Sequence, residues 1–201
     1  MNRRSKKALR AELRREILAA ALSVFSEKGF HGARMVDIAR RAGVAVGTLY
    51  QFFSGKADLY QTLLEEVARR IHGRVLAVLR KEAPVLPLLR EFLTVKLAAL
   101  EENQDILGLH LREVWEARFQ GVRARVLPEL YEEYLSALGE VLSRLPHPLS
   151  SRPRLYAALV DGVIATAVVE ALEGRSPFPT AKDLWPLLTR ALIPEEEAHA
   201  P

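Results

Sequence analysis

The chain contains no cysteine, and among its 201 residues there are two methionines, two tryptophans and two asparagines. Without thiols it can form neither disulfides nor thiolate zinc sites. It has no G-x-G-x-x-G, no phosphate-binding P-loop, no G-x-S-x-G and no H-E-x-x-H, which removes the common nucleotide, acyl-transfer and zinc-hydrolase signatures. The histidines, at 31, 72, 110, 147 and 199, are too dispersed to suggest a ligand set. His110 and Glu113 share a helix face at i, i+3, a spacing that more often serves a local hydrogen bond or a pocket lining than a metal. Neither an enzyme, a metal site nor a bound cofactor is therefore expected. No apolar run approaches the length that crosses a bilayer, and the basic start lacks an apolar signal core, so the expectation is a soluble, cytoplasmic protein without membrane attachment.

Half the chain is hydrophobic (49%) and 27% is charged, enough apolar surface for one large domain or two small ones. The net charge of +4 hides an asymmetry: residues 1–60 hold 12 Lys or Arg against 5 Asp or Glu, a net of +7, and residues 61–201 carry −3. A concentrated positive segment attracts a polyanion, either nucleic acid or an anionic membrane surface.

Periodicity predicts an all-α chain of about nine helices. Ile17, Ala21, Val24 and Phe25 follow helical spacing up to Gly29, and a short helix fits Arg34 to Arg41 with Ile38 and Ala42 inward. Gly43 supplies a turn, and a third helix over Val46 to Phe52 puts Leu49 and Phe53 on one face. Ser54 is the expected N-cap of a fourth helix through Lys81. Two short helices separated by a glycine turn on a basic segment make a helix-turn-helix whose second helix fits a major groove. Gly47 then permits close backbone approach to a phosphate, Thr48 and Gln51 can bond base edges or phosphates, and Tyr50 can place its hydroxyl on the sugar-phosphate backbone. Lys56, in the first turn of helix four, joins a cation to free backbone amides.

The segment "AALSVFSEKGFHGARMVDIARRAGVAVGTLYQFFSGKADLYQTLL", residues 20–64, resembles the DNA-binding region of the TetR family of bacterial transcriptional regulators. It combines AA-x-x-x-F, G-F, D-I-A, A-G-V, G-T-L-Y-x-x-F and K-x-x-L in the family's order. The resemblance implies an N-terminal three-helix DNA-binding domain, residues 1–56 with its recognition motif at about 34–53, and a larger helical ligand-binding and dimerisation domain, residues 57–201. It further implies a homodimeric repressor on a palindromic double-stranded DNA operator, released by a small ligand. By position Gly47, Thr48, Tyr50, Gln51 and Lys56 match the recognition helix and the phosphate contact after it. The chain departs from the family at Ala33, Arg34, Ala45 and Val46: polar capping is lost at the recognition helix, and Arg34 stands where it can replace a phosphate contact.

Five further helices are expected over Pro84 to Leu100, Asp105 to Phe119, Val122 to Leu145, Arg154 to Leu172 and Ala181 to Leu192. Helix 154–172 is apolar almost all round, with Leu155, Leu159, Val163 and Thr166 on one side and Val160, Ile164, Ala167, Val168 and Ala171 on another, which demands burial on two sides. Packing within the subunit would hide one side and a second subunit the other, with small Gly162, Ala165 and Ala167 permitting close approach and the apolar Leu184, Leu187, Leu188 and Ala191 of the last helix joining the interface; the alternative is the central helix of a monomeric bundle. Helices 84–145 carry Phe92, Leu111, Trp115, Phe119, Tyr131 and Tyr134, core residues by default, which the resemblance to the family places at an apolar effector pocket, with Arg112, Arg118, Arg123 and Arg125 around Gln120 and Gly121. Guanidinium groups at such a mouth, Arg112 and Arg123 among them, suit the anionic head of a hydrophobic effector; pairing with Glu113, Glu116, Glu129, Glu132 and Glu133 on a solvated surface is the alternative. The segment "LAALEENQDILGLHLREVWEARFQGVRARVLPELYEEYL" also resembles the ligand region of acyl-CoA-responsive regulators of fatty-acid metabolism within that family. The rival reading of the whole chain, a basic helical module for membranes or protein partners, requires a continuous apolar face that "MNRRSKKALRAELRR" does not provide.

Overall fold

A computed structural model describes the backbone of residues 3–116 and 127–192 and the side chains of residues 6–111 and 128–190. Nine α-helices and a short 3-10 helix account for the described residues, with no strand among them. The helices are α1 (Arg3–Gly32), α2 (Met35–Arg41), α3 (Val46–Tyr50), α4 (Lys56–Leu79), α5 (Val85–Glu101), α6 (Gln104–Glu116), α7 (Leu127–Leu142), α8 (Pro153–Leu172) and α9 (Ala181–Leu192), the 3-10 turn Pro148–Ser151 preceding α8. Residues 117–126, on which the expected ends of α6 and α7 fall, lie outside the described residues. The chain divides into two compact units, Met1–Val67 with Asp105–Ala124 and Ala68–Gln104 with Arg125–Pro201.

In the first unit α1 runs regularly as far as Gly29, whose φ of +68° breaks it. Ile17, Ala21, Val24 and Phe25 of α1 are buried, as are Ile38 and Ala39 of α2, Leu49 of α3 and Phe53. Ala39, rather than Ala42, is the second inward residue of α2: Ala42 is its C-cap and only half-buried. Gly43 has φ +67°, the left-handed conformation that an L side chain resists. The start of α4 is capped in the reverse sense to the one expected. The Asp58 carboxylate reaches back to accept from both the backbone N–H (2.8 Å) and the hydroxyl (3.0 Å) of Ser54, returning a carboxylate to the residues that precede the helix.

The second unit is built round a core of Phe92, Leu93, Leu135, Leu138, Leu142, Ala157, Val160 and Ile164. Helix α7 comes close to the start of α8 at Gly139, where a Cβ would stand 2.8 Å from the Pro153 carbonyl oxygen. Helix α8 corrects the expectation that no apolar run approaches bilayer length: its 20 residues have a mean hydropathy of 1.8 over an 18-residue window, enough by length and composition to cross a membrane. Its interior carries Asp161, which is buried and ion-paired. Val160, Ile164 and Val168 face the core, while Leu155, Leu159 and Val163 are 43%, 52% and 43% exposed. Ala167 packs against the core side instead of the exposed stripe.

Candidate nucleic-acid interface and effector residues

Helix α3, the expected recognition helix, has a single buried residue. Leu49 is fully buried, and Phe53, one turn on, closes the same face. Helical geometry then turns Gly47, Tyr50 and Gln51 outward, all exposed, with Val46 and Thr48 half-buried at the margins. Tyr50 is 53% exposed, a large aromatic side chain left in water. Ala45 is the N-cap in extended backbone and contributes no side-chain hydrogen bond. A Cβ at Gly47 would meet nothing within 4 Å, and its φ lies outside the positive region; nothing among the described residues requires glycine there.

Arg34 is the exposed N-cap of α2, likewise without a side-chain capping bond. Other cations of the basic segment are engaged internally. Arg41 forms a bidentate pair with Glu27, both contacts at 2.7 Å, and that hydrogen-bonded guanidinium holds the Glu27 carboxyl below its usual range. Lys28 pairs with Asp37 at 3.0 Å and lowers its pKa in the same way. Lys56 sits in the first turn of α4, but its ammonium donates to the backbone oxygens of His31 (3.2 Å) and Ala33 (3.0 Å) and lies 4.6 Å from the centre of the Phe30 ring. It ties off the end of α1, a role that spacing alone did not disclose.

Of the expected effector residues, Phe92 is buried on α5, Tyr134 is buried on α7 and Tyr131 is 44% exposed one turn before it. Leu111, on α6 in the first unit, is half-buried. The side chains of Arg112 and Trp115 and the whole of Phe119 and Arg123 lie outside the described residues. Glu132 and Glu133 have other partners, Arg154 and Arg80, each at 2.6 Å.

What residue-by-residue reading missed is the polar cluster that the two tyrosines join. Lys96 of α5 forms an ion pair with Asp161 of α8, the side chains 12% and 10% exposed. The Lys96 ammonium is 2.7 Å from the Tyr134 hydroxyl, and the Tyr134 and Tyr131 hydroxyls donate to the two oxygens of Asp161 at 2.9 and 3.0 Å. Burial lowers the pKa of Lys96 against the opposing pull of Asp161. Burial first, then the Asp161 charge, raises Tyr131 to about 12 and pushes Tyr134 up further. His72 meets Tyr134 edge-on at 6.0 Å, and its Nε2 is buried without a hydrogen-bond partner among the described residues. The signal was a lone lysine in "LTVKLAAL" and a lone aspartate in "ALVDGVIATAVV", charges in otherwise apolar helical runs.

The helix-turn-helix thus presents Gly47, Tyr50 and Gln51 outward with Thr48 at the margin. Residues 17–63 match the profile of bacterial regulatory proteins, tetR family. The chain is 32% identical over 199 residues to the HTH-type transcriptional regulator BetI of Cronobacter sakazakii, covering 92% of this chain and 93% of that one. The chain belongs to the tetR family. It is also 42% identical over 79 residues to the HTH-type transcriptional activator FasR of Mycolicibacterium smegmatis, 39% of this chain and 36% of FasR. Across FasR and two further curated relatives, it spans 36%, 58% and 47% of the relative's length. In fold it is similar to the transcriptional regulator FadR of Bacillus subtilis solved in complex with stearoyl-CoA, with a TM-score of 0.67, 22% identity and coverage of 89% and 96% of the two chains.

Proposed function

We propose that the chain is a homodimeric transcriptional repressor that binds a palindromic operator in the cytoplasm and leaves it when a hydrophobic or amphipathic effector of the acyl-CoA class binds. The outward face of α3 carries the DNA reading: Leu49 is buried while Tyr50 and Gln51 stand exposed, so the helix spends one face on its own fold and has the other free for a groove. Gly47, Thr48, Tyr50 and Gln51 contact DNA, Ala45 and Val46 border the contact, and Arg34 and Lys56 flank it. The dimer reading rests on the exposed Leu155, Leu159 and Val163 of α8 with Leu187 of α9, 57% exposed, an apolar surface of the kind that marks an interface. The effector reading rests on Tyr131, Tyr134 and the polar cluster they share with Lys96 and Asp161, beside the buried Phe92 of the same unit, and on the stearoyl-CoA bound by the similar FadR; Leu111, Arg112, Trp115, Phe119 and Arg123 remain effector candidates on the sequence alone. Ligand binding would favour a subunit arrangement in which the two recognition helices no longer match successive major grooves.

The test is selection of duplexes from a random pool, followed by gel-shift titration of the selected sequence with acyl-CoAs of several chain lengths. An inverted repeat whose half-sites lie about one helical turn apart, roughly 34–36 Å, and release by at least one chain length would support the reading. A selected pool without two-fold symmetry would contradict it.

A further inference from the structure

From Lys6 to Glu12 every residue of α1 is exposed, Leu9 at 57% included. These turns precede the buried stretch that opens with Ile17 and Leu18, so they add nothing to the core of their unit. Their charge is segregated by helical spacing. Lys7, Arg10 and Arg14 follow i, i+3, i+7, with Lys6 at i−4 from Arg10, while Glu12 and Glu16 fall on the far side together with Arg15. The row leads to the recognition helix. The Arg10 guanidinium donates to the Gln51 carbonyl oxygen at 3.4 Å and lies 5.1 Å from the centre of the Phe52 ring. Arg14 pairs with Glu66 and lies 5.6 Å from the centre of the Phe53 ring. Lys6 and Lys7 meet no acidic side chain among the described residues. One helical turn, about 5.4 Å, separates them from the guanidinium that touches the end of the candidate DNA-reading segment.

We infer that the first turns of α1 form a second DNA-contacting element, in which Lys6 and Lys7 bind backbone phosphates flanking the half-site read by α3. The inference rests on the DNA reading of α3 proposed above. Two exposed lysines have the chemistry of phosphate contacts, point charges on flexible stems that carry no base preference. The arm should therefore raise affinity for every sequence equally and steepen the dependence on salt, since each neutralised phosphate releases counterions.

The experiment compares the full chain with a Lys6→Gln, Lys7→Gln variant and, in parallel, a Tyr50→Ala variant. Each is titrated with a duplex carrying the wild-type-selected sequence and with a scrambled duplex over a range of salt. Both lysines are exposed, so the double variant should fold as the parent does. If the inference holds, the double variant loses affinity for both duplexes by the same factor, and the slope of log K against log salt falls by about 0.9 per lost contact, about 3–4 for two lysines in each of two subunits. An unchanged slope and affinity, with binding lost in Tyr50→Ala, would overturn the arm and leave the recognition helix in place. Wild-type binding to phosphatidylglycerol vesicles that the double variant loses while its DNA slope is unchanged would also overturn it, in favour of a lipid surface. Failure of the wild type to bind any duplex would remove the DNA reading itself, and the arm with it.

Discussion

Gly47 is the residue at which stability and function should part. It is helical and exposed, and a Cβ there meets nothing, so Gly47→Ala should stabilise the chain by about 0.5–1 kcal/mol through helix propensity. If a phosphate backbone approaches α3 at that point, the same change weakens operator binding. Thermal melting and gel shift on one variant check both signs together. Lys56→Ala needs the same pairing of measurements: the ammonium holds the His31 and Ala33 carbonyl oxygens, so lost DNA affinity counts for a phosphate contact only if Tm is unmoved. At Lys96 and Asp161 the expectation is asymmetric. Lys96→Met or Asp161→Leu alone strands a buried charge and should cost about 3–5 kcal/mol, while the double substitution strands only the Tyr134 hydroxyl, which loses both partners, and should cost about 1–3 kcal/mol; urea unfolding of the three variants checks this, and a double variant as unstable as the singles would contradict it. His72 gives a pH dependence. Burial lowers its folded pKa from 6.5, with Glu133 opposing and Lys96 and Arg80 adding to the shift. The unfolded chain therefore binds the proton first, and the stability present above about pH 6.5 is lost as pH falls through the lower folded value. His72→Gln should flatten that acid limb in denaturant titrations at pH 5 to 7.

Among the elements, α8 is the most informative, because one helix carries two incompatible surfaces. Its inner face delivers Asp161 to Lys96 and packs Val160 and Ile164, and its outer stripe leaves Leu155, Leu159 and Val163 to solvent. An all-round apolar pattern forecast that division, and the exposures assign its two sides: a charge that tests the proposed dimer belongs at Val163, since Ala167 packs toward the core. Val163→Lys should yield a folded monomer that no longer binds the operator, detectable by sedimentation alongside circular dichroism; an unchanged dimer would contradict the interface. The helices themselves were legible because apolar spacing at 3.6 residues is set by each segment's own burial. Gly29 and Gly43 were legible for a related reason, since positive φ is written in residue type. The Lys96–Asp161 pair was not, because 65 positions separate its members and only tertiary packing brings them together. Lys56 was misleading in another way: its place in the first turn of α4 was clear, but the carbonyl oxygens it binds lie 23 and 25 positions back.

For the whole molecule, the charge asymmetry of the sequence acquires a spatial meaning. Of the cations that give residues 1–60 their net +7, Arg14, Lys28 and Arg41 are paired within the first unit. Arg34, Lys6 and Lys7 are exposed, as are Arg10, Arg15 and Arg40. Those residues and the outward face of α3 are what a duplex would meet. The proposed coupling links that surface to an effector site through the subunit arrangement, and thermodynamic reciprocity requires that an effector which weakens DNA binding be itself bound less tightly by the DNA complex. The most direct measurement is therefore a calorimetric titration of the protein with acyl-CoAs of graded chain length, in the presence and absence of the selected inverted repeat. The account predicts binding that weakens by the same factor, when DNA is present, as the acyl-CoA weakens DNA binding. Acyl-CoA binding at full strength to the DNA complex, with the operator retained, would contradict it.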